Sequence, residues 1–175
     1  MIEVVETNLK GVLLIKPTYF KDHRGYYLEI YNQRLYKEKG IDVGFVEDDV
    51  SIATKGVLKG IHGDSITWKL ISCLHGEFYL VVINFDKDSN DFGKWQSFVL
   101  SENNKYQVLV PPKHGNGHLC LSEKSIFHYK QSAYYGSAKQ FTILWNDPKF
   151  NIPWPIKDPI LSERDRNARP FEESV

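Results

Sequence analysis

The sequence predicts an all-β protein, and three observations indicate this class. Ten Tyr, ten Phe and four Trp are spread throughout a chain of 175 residues. The apolar segments are short and rich in β-branched and aromatic residues, and turn-forming residues separate them, as is usual for strands. About ten short strands at such spacing are typical of a sandwich or barrel closed by Greek-key connections.

The predicted elements follow one another along the chain, each between turn signals. The strands are expected at 11–17, 25–32, 44–53, 57–63, 68–76, 77–85, 93–101, 106–112, 117–123, 125–135 and 140–146. One helix is predicted over 32–40, where Gly40 supplies a C-terminal stop, and the tail over 162–172 is expected to add irregular or helical structure. Because no repeat, low-complexity segment or linker divides the chain, we expect one domain over residues 1–175.

Composition excludes several classes of function. The charges cancel at 22 against 22, which gives no basic field for nucleic acid. Cys73 and Cys120 lie inside apolar runs, as expected of buried thiols in a reducing compartment rather than of a disulfide framework. The sequence has no export signal at its start and no apolar run of the roughly 18 residues that a membrane span needs. We therefore expect a cytoplasmic protein without a membrane partner.

The stretch "GVLKGIHGD" (56–64) contains the first candidate for chemistry. His62 stands between Gly60 and Gly63, where another group can approach the backbone closely. It is a buried structural residue, a metal ligand or a base. The metal hypothesis is disfavoured because the chain has no His-x-His pair, and Gly115 and Gly117 make a helical pair of His114 and His118 untenable. His75, beside Gly76, is interpreted as part of a hairpin between two apolar runs.

Three other residues have both a structural and a chemical interpretation, and a fourth has only a structural one. Lys69 is an outward-facing strand residue or a cation beside a developing anion, and Tyr129 is a core aromatic or a proton donor. Arg24, before a glycine at a strand entrance, is a solvated turn residue or a ligand for a diphosphate. Asp165, in "LSERD", would by itself be interpreted as a surface charge.

Taken together, the motifs resemble those of the dTDP-4-dehydrorhamnose 3,5-epimerase family of nucleotide-sugar epimerases. The matching segments are, in order, "FKDHRGYYLEIYN", "GVLKGIHGD", "TWKLISCLHGEFYLVVINFDKDSNDFGKW", "LSENN", "VPP", "YKQSAYY", "LWNDPKFNIPWP" and "LSERD". The resemblance implies a cupin-like jelly roll with a few short helices that works as a homodimer without metal or cofactor. It also implies inversion of stereocentres next to the ketone of a 4-keto-6-deoxy sugar linked to a nucleoside diphosphate.

The resemblance also assigns roles to individual residues. It makes His62 the base that removes the proton beside the ketone and Asp165 its dyad partner. Lys69 matches the lysine that supports the enolate oxygen, and Tyr129 the tyrosine that returns a proton to the opposite face. Three further positions match residues that contact the nucleotide end of the substrate: Arg24, Tyr27 and Glu29.

Several positions depart from the family pattern and are expected to shape the substrate pocket. Gly63 and Asp64 replace an aromatic residue and Gln, and the missing side chain at Gly63 is expected to make room. Asn116 replaces a histidine, and His118 an aromatic residue. The other substitutions are Glu47 and Asp49 for Gln and Asn, and Lys59 for Arg. The "GIHGD" and "GN-x-H" variants resemble epimerases of capsule and lipopolysaccharide heptose pathways, which use GDP-6-deoxy-4-keto-heptoses.

Two alternatives remain beside a cofactor-independent epimerase acting at C3, or at C3 and C5. The first is a nucleotide-sugar 3,4-ketoisomerase, which Tyr129 disfavours because isomerisation can keep protons on one face. The second is a sugar-binding relative without catalysis, which should have lost part of the set His62, Lys69, Tyr129 and Asp165.

Overall fold

A computed structural model describes residues 1–171 as a β-sandwich with two short helices. The elements are β1 (Ile2–Glu6), β2 (Leu13–Pro17), β3 (Tyr19–Asp22), β4 (Gly25–Leu28), α1 (Gln33–Glu38), β5 (Glu47–Thr54), β6 (Leu58–Gly63), β7 (Lys69–His75), β8 (Glu77–Asn84), β9 (Trp95–Ser101), β10 (Gln107–Val110), β11 (His114–Cys120), β12 (Lys124–Gln131), β13 (Phe141–Thr142) and α2 (Glu163–Arg166).

The strands form two main sheets and a small separate hairpin. One sheet has six strands in the order β1-β2-β10-β7-β12-β5, and the other has five in the order β13-β6-β11-β8-β9. Strands distant in sequence are neighbours in both sheets, which produces the crossed connections of a jelly roll. Within residues 1–171, β3 and β4 pair only with each other, and we call residues 19–28 the arm.

The main core lies between the two sheets, and β8 shows how the sequence builds it. Leu80 and Val82 join the core between the sheets, whereas Val81 and Ile83 join a cluster on the outer face of the five-stranded sheet. Side chains alternate between the two faces of a strand, so a strand buried on both faces must be apolar throughout. On the outer face of the six-stranded sheet, Tyr36 of α1 packs in a cluster with Ile15 and Leu109.

The predicted fold class is confirmed, and most of the predicted strands form. The strand predicted over 25–32 ends at Leu28, and the one predicted over 125–135 ends at Gln131. The helix predicted over 32–40 forms at Gln33–Glu38, capped by the side chain of Asn32, which accepts a hydrogen bond from the Leu35 amide.

Several local features differ from the sequence prediction. The strand predicted over 117–123 forms at His114–Cys120, and the one predicted over 140–146 forms only at Phe141–Thr142. β1 and β3 were not predicted, because both are short, include charged residues and lie outside the apolar centre of the sheets. The prediction of a hairpin at Gly76 was wrong. β7 and β8 belong to different sheets, and Gly76, with φ of +71°, turns the chain from one sheet to the other.

Within residues 1–171, neither helix has the length and apolar character that crossing a membrane would require. Of the predicted irregular or helical tail over 162–172, the structure forms α2 at Glu163–Arg166, and residue 172 lies outside the described range.

Candidate active site

One cavity of about 620 Å³ brings together half of the residues that the sequence selected, including all four assigned to catalysis. Both sheets and the C-terminal segment contribute side chains to it. The lining residues are Ser51, Val57, Leu58, Lys59, His62, Lys69, Asn116, His118, Phe127, Tyr129, Gln131, Tyr135, Gln140, Ile160, Leu161, Ser162, Arg164 and Asp165.

His62 and Asp165 form a hydrogen-bonded pair in this cavity. Nε2 of His62 lies 2.5 Å from Oδ1 of Asp165, and the carboxylate is 2% exposed whereas the imidazole is 26% exposed. A carboxylate only accepts hydrogen bonds, so Nε2 carries the proton and the lone pair of the neutral ring lies on Nδ1. The ring therefore has a basic nitrogen available on the side away from Asp165.

The helix α2 holds Asp165 in position. The Asp165 amide donates to the hydroxyl of Ser162, the N-cap of this helix, at 3.1 Å, and the Gly60 amide donates to the Asp165 carboxylate at 3.3 Å. Burial raises the pKa of Asp165, but the hydrogen bond and charge of His62, together with the Gly60 amide, outweigh it. The net pKa lies below its ordinary value, so Asp165 is ionised at neutral pH.

The two glycines beside His62 have a packing role. A Cβ on Gly60 would lie 2.5 Å from Cα of Gly117, so a side chain there would force β6 away from β11. A Cβ on Gly63 would overlap the His114 carbonyl oxygen and the ring of Phe141. The expectation that Gly63 makes room for substrate is therefore wrong, because Phe141 already fills that space.

Lys69 is buried against the cavity wall, with its ammonium near Asn116. Its Nζ donates to Oδ1 of Asn116 at 3.2 Å, and the two residues are 8% and 8% exposed. Burial lowers the pKa of Lys69 because desolvation penalises the charged form. The interpretation of Lys69 as an outward-facing lysine is thus wrong.

Tyr129 faces the cavity from β12. Burial, and then the charges of Asp49 and Glu47, raise its pKa to about 12, so the phenol keeps its proton at neutral pH. Asp49 and Glu47 do not line the cavity themselves. Their carboxylates accept hydrogen bonds from Nε2 of Gln131 at 2.7 and 2.8 Å, and Gln131 presents its side chain to the cavity in their place.

His118 lines the cavity as a neutral ring. It stacks on Phe127 with centroids 3.9 Å apart, and its Nε2 has no hydrogen-bond partner among the described residues. Burial, and then the charges of Lys59 and His62, lower its pKa to about 3. Lys59, nearby, donates from Nζ to the Ser51 hydroxyl at 2.5 Å.

The other predicted site residues lie outside the cavity. Arg24 forms an ion pair of 2.6 Å with Asp22 within the arm, Tyr27 is 68% exposed, and Glu29 accepts a hydrogen bond from Asn32. Asp64 is buried in a turn, where its Oδ1 accepts the amides of residues 66 and 67 at 2.9 and 2.8 Å. This local role explains its burial without a ligand.

Several cavity residues were missed in the sequence. Arg164 donates to the Thr142 hydroxyl at 2.8 Å and to the Gln140 amide oxygen at 3.2 Å, which fixes its guanidinium at the cavity wall. Its place next to Asp165 in "LSERD" was a signal that could have identified it. Gln131, Tyr135 and Gln140 carried no comparable signal. In residues 1–171, no group of three or more His, Cys, Asp or Glu side chains is arranged to hold a metal ion.

The two-sheet jelly roll with a cavity between its sheets is the architecture of the cupin-type enzymes. Within that class, the chain belongs to the dTDP-4-dehydrorhamnose 3,5-epimerase family, whose model matches residues 6–173. It is thus an isomerase of the epimerase type. The enzyme of that name from Shigella flexneri is 37% identical over 174 residues, which cover 97% of this chain and 96% of the relative.

Solved structures agree in fold. The dTDP-4-dehydrorhamnose 3,5-epimerase from Bacillus anthracis, with TDP and PPi bound, has a TM-score of 0.94 at 35% identity and covers 98% of this chain and 100% of its own. The dTDP-6-deoxy-D-glucose-3,5-epimerase from Legionella pneumophila, in complex with dTDP-4-keto-L-rhamnose, has a TM-score of 0.93 at 33% identity, with 98% and 94% covered.

Proposed function

We propose that this protein inverts C3, or C3 and C5, of a nucleotide-linked 4-keto-6-deoxy sugar through an enolate, without a cofactor, in the biosynthesis of a surface-polysaccharide sugar. The observation that carries the proposal is the His62–Asp165 pair, which faces the same cavity as Lys69 and Tyr129. Removal of the proton, stabilisation of the enolate oxygen and return of a proton each need one of these groups.

In the first step, a base removes the proton from a carbon next to the ketone. Nδ1 of His62 takes this proton, and the ionised Asp165 stabilises the imidazolium that results. The electron pair of the C–H bond forms the C=C bond of the enolate, and negative charge develops on the ketone oxygen. The buried ammonium of Lys69 offsets that charge in a medium where water cannot screen it.

In the second step, a proton returns to the carbon from the opposite face. Tyr129 supplies it, because its raised pKa of about 12 keeps the phenol protonated. An enolate carbon is a strong base, so a weak acid is sufficient as its donor. Return from the face opposite His62 inverts the centre. The imidazolium then releases its proton to solvent and the tyrosinate takes one from solvent, which restores the starting enzyme.

Two substrates are proposed, and each is supported by a different observation. The relatives are named for dTDP sugars, which supports dTDP-4-keto-6-deoxyhexose as a substrate. The Asn116 and His118 variants support a GDP-6-deoxy-4-keto-heptose, and both residues line the cavity. Gly63 does not support the larger sugar, because Phe141 fills the space beside it. Comparison of turnover of the two substrates decides, and turnover of the dTDP-hexose at least as fast as that of the GDP-heptose excludes the heptose assignment.

We also propose a homodimer in which the arm of one subunit serves the cavity of the other. Arg24, Tyr27 and Glu29 have exposed positions but contribute nothing to the lining of the cavity of their own chain. A role at the nucleotide end of the substrate therefore requires a second copy. The outer face of β5, an edge strand, exposes Val50 and Ile52 by 59% and 60%, which suits burial by such a copy.

The deciding experiment is incubation with either 4-keto nucleotide sugar in deuterated water, followed by NMR at C3 and C5. Deuterium incorporation with inversion at C3, or at both carbons, supports the epimerase. Movement of the carbonyl to C3 would identify a 3,4-ketoisomerase, and an unlabelled, unchanged sugar would identify a binding protein. Enzyme omitted from the same mixture is the control for spontaneous exchange.

Three further expectations remain predictions. Size-exclusion chromatography with light scattering tests the homodimer, and cell fractionation tests the cytoplasmic location. The single domain over residues 1–175 is supported by the contribution of both sheets and α2 to one cavity, and a single cooperative unfolding transition would agree with it.

A further inference from the structure

The side-chain amide of Asn116 has a fixed orientation in the cavity. Lys69 approaches it with Nζ at 3.2 Å, and an ammonium can only donate hydrogen bonds, so the amide oxygen must face Lys69. The amide nitrogen, Nδ2, then points elsewhere. Among residues 1–171 it has no protein partner, although Asn116 is only 8% exposed and lines the cavity.

The position of Asn116 in the sheet places it between the other reacting groups. In the register of β6 and β11, Asn116 lies directly opposite His62. Its side chain contacts Lys69, which comes from the facing sheet. The oxygen of a ketone lies one carbon away from the atom that loses its proton. An oxygen that Lys69 stabilises while His62 removes that proton therefore lies beside the Asn116 amide.

The position of the charged Lys69 ammonium depends on Asn116. The Asn116 oxygen is the only hydrogen-bond acceptor that residues 1–171 offer to the Lys69 ammonium. Burial has the largest effect on the pKa of Lys69 and lowers it, the charge of Asp64 raises it and that of Arg164 lowers it, and neither residue forms an ion pair with the ammonium within residues 1–171. A buried cation of this kind is stabilised by negative charge that develops nearby. Asn116 holds the ammonium in place through its oxygen and does not neutralise it, which a carboxylate would do.

We propose that Asn116 is a catalytic residue, whose Nδ2–H group donates a hydrogen bond to the enolate oxygen together with the Lys69 ammonium. This rests on the proposed epimerase function. As His62 takes the proton, the C–H electron pair becomes the C=C bond and the carbonyl π pair moves to the oxygen, where the two donors receive it. Reprotonation of the carbon reverses the shift, and Asn116 neither gains nor loses a proton.

The test compares Asn116→Leu and Asn116→Asp by deuterium exchange at C3 across a range of pH. Asn116→Leu removes the donor, and loss of one such donor typically costs about 10²–10³-fold in kcat with a smaller change in KM. Asn116→Asp is nearly isosteric, also lacks the donor, and should be slow as well. Asn90→Leu, in an exposed loop away from the cavity, is the matched control and should keep the wild-type rate.

The pH profile separates this role from a merely structural one. Lys69 acts as a cation, so its loss of a proton sets an alkaline limit to the rate. Asn116→Leu removes the oxygen that accepts a hydrogen bond from the charged Lys69, so it should move the alkaline limit to lower pH. Asn116→Asp adds a carboxylate beside Lys69 and should move the limit to higher pH. Titration of the ¹³C-labelled Lys69 side chain by NMR measures the same opposite shifts without turnover.

Exchange by Asn116→Leu within about threefold of wild type, or shifts of Lys69 in the same direction in both variants, would overturn the inference while the epimerase function stands. A wild-type protein that exchanges no proton of either 4-keto sugar would overturn both. Circular dichroism and thermal midpoints show whether each variant is folded.

Discussion

Within one chain, the residues of the cavity converge into a site, whereas those of the arm remain exposed. In the cavity, residues from β6, β7, β11, β12 and α2 converge, and His62 and Asp165 are 2.5 Å apart although 103 positions separate them in sequence. In the arm, Arg24 pairs with its near neighbour Asp22, and the aromatic side chains of Phe20 and Tyr27 are 69% and 68% exposed.

This difference indicates which chemistry each region can perform alone. Burial lowers the pKa of Lys69, and at Asp165 burial raises the pKa but the contacts with His62 and the Gly60 amide outweigh it, so the proton-transfer steps belong to the cavity. An exposed arginine paired to a neighbouring carboxylate has no such environment. The arm is therefore suited to recognition of substrate, and only after another surface covers it.

The largest expected effect is at the base. His62→Ala should abolish deuterium exchange at both C3 and C5, a loss of about 10²–10⁴-fold or more, because positioned general bases typically contribute that much. Exchange is measured by NMR in deuterated water. His75→Ala is the matched control, since His75 is exposed and contacts Glu102 outside the cavity. Unchanged exchange by His62→Ala would contradict the assignment of the base.

Replacement of Tyr129, the proposed acid, should lower inversion more than deuterium exchange, whereas loss of the base should abolish both. Tyr129→Phe removes the phenol proton but leaves the ring, so His62 can still exchange the C3 proton on its own face. We expect inversion to fall by about 10²-fold or more while a larger fraction of deuterium exchange remains. Equal loss of exchange and inversion would count against an acid on the opposite face.

A subunit-mixing experiment tests the arm. Arg24→Ala should raise KM by roughly tenfold or more with a smaller change in kcat, because a hydrogen bond to a charged group contributes about 1.5–3 kcal/mol. Dimers refolded from a mixture of His62→Ala and Arg24→Ala chains then combine an intact arm with an intact cavity. At subsaturating substrate the mixture should exceed the averaged rate of the two variants. No gain on mixing would argue that the arm does not act across subunits.

The smallest expected effect concerns the packing beside His62. Gly63→Ala should lower the free energy of unfolding by about 1–3 kcal/mol, because its Cβ would meet the His114 carbonyl and the Phe141 ring. Urea denaturation measures the change. Gly44→Ala is a matched control, since a Cβ built there has no heavy atom of the described part of the chain within 4 Å. A neutral Gly63→Ala would restore the possibility that this position is open to substrate.

The elements that sequence predicted well share a physical cause. β8 is aromatic or aliphatic from Phe78 to Ile83 because both of its faces are buried there, so its pattern is visible without any partner. β1 and β3 were missed because short edge strands and arms gain their structure from pairing with another strand rather than from their own residues. The turn at Gly76 was recognised as a turn but given the wrong partners, since turn residues do not specify which sheet follows.

The candidate site also has features that the sequence predicted and features that only the structure revealed. By itself, the sequence determined the all-β class and the resemblance to the family, and through that resemblance it selected His62, Lys69, Tyr129 and Asp165 for the roles proposed above. Only the tertiary structure decided that Gly63 is filled by Phe141, that Asp64 caps a turn, that Arg164 joins the wall, and that Lys69 faces Asn116. The reason is that a residue type fixes which bonds a side chain can make, whereas its burial and partners depend on strands that lie far apart in the chain.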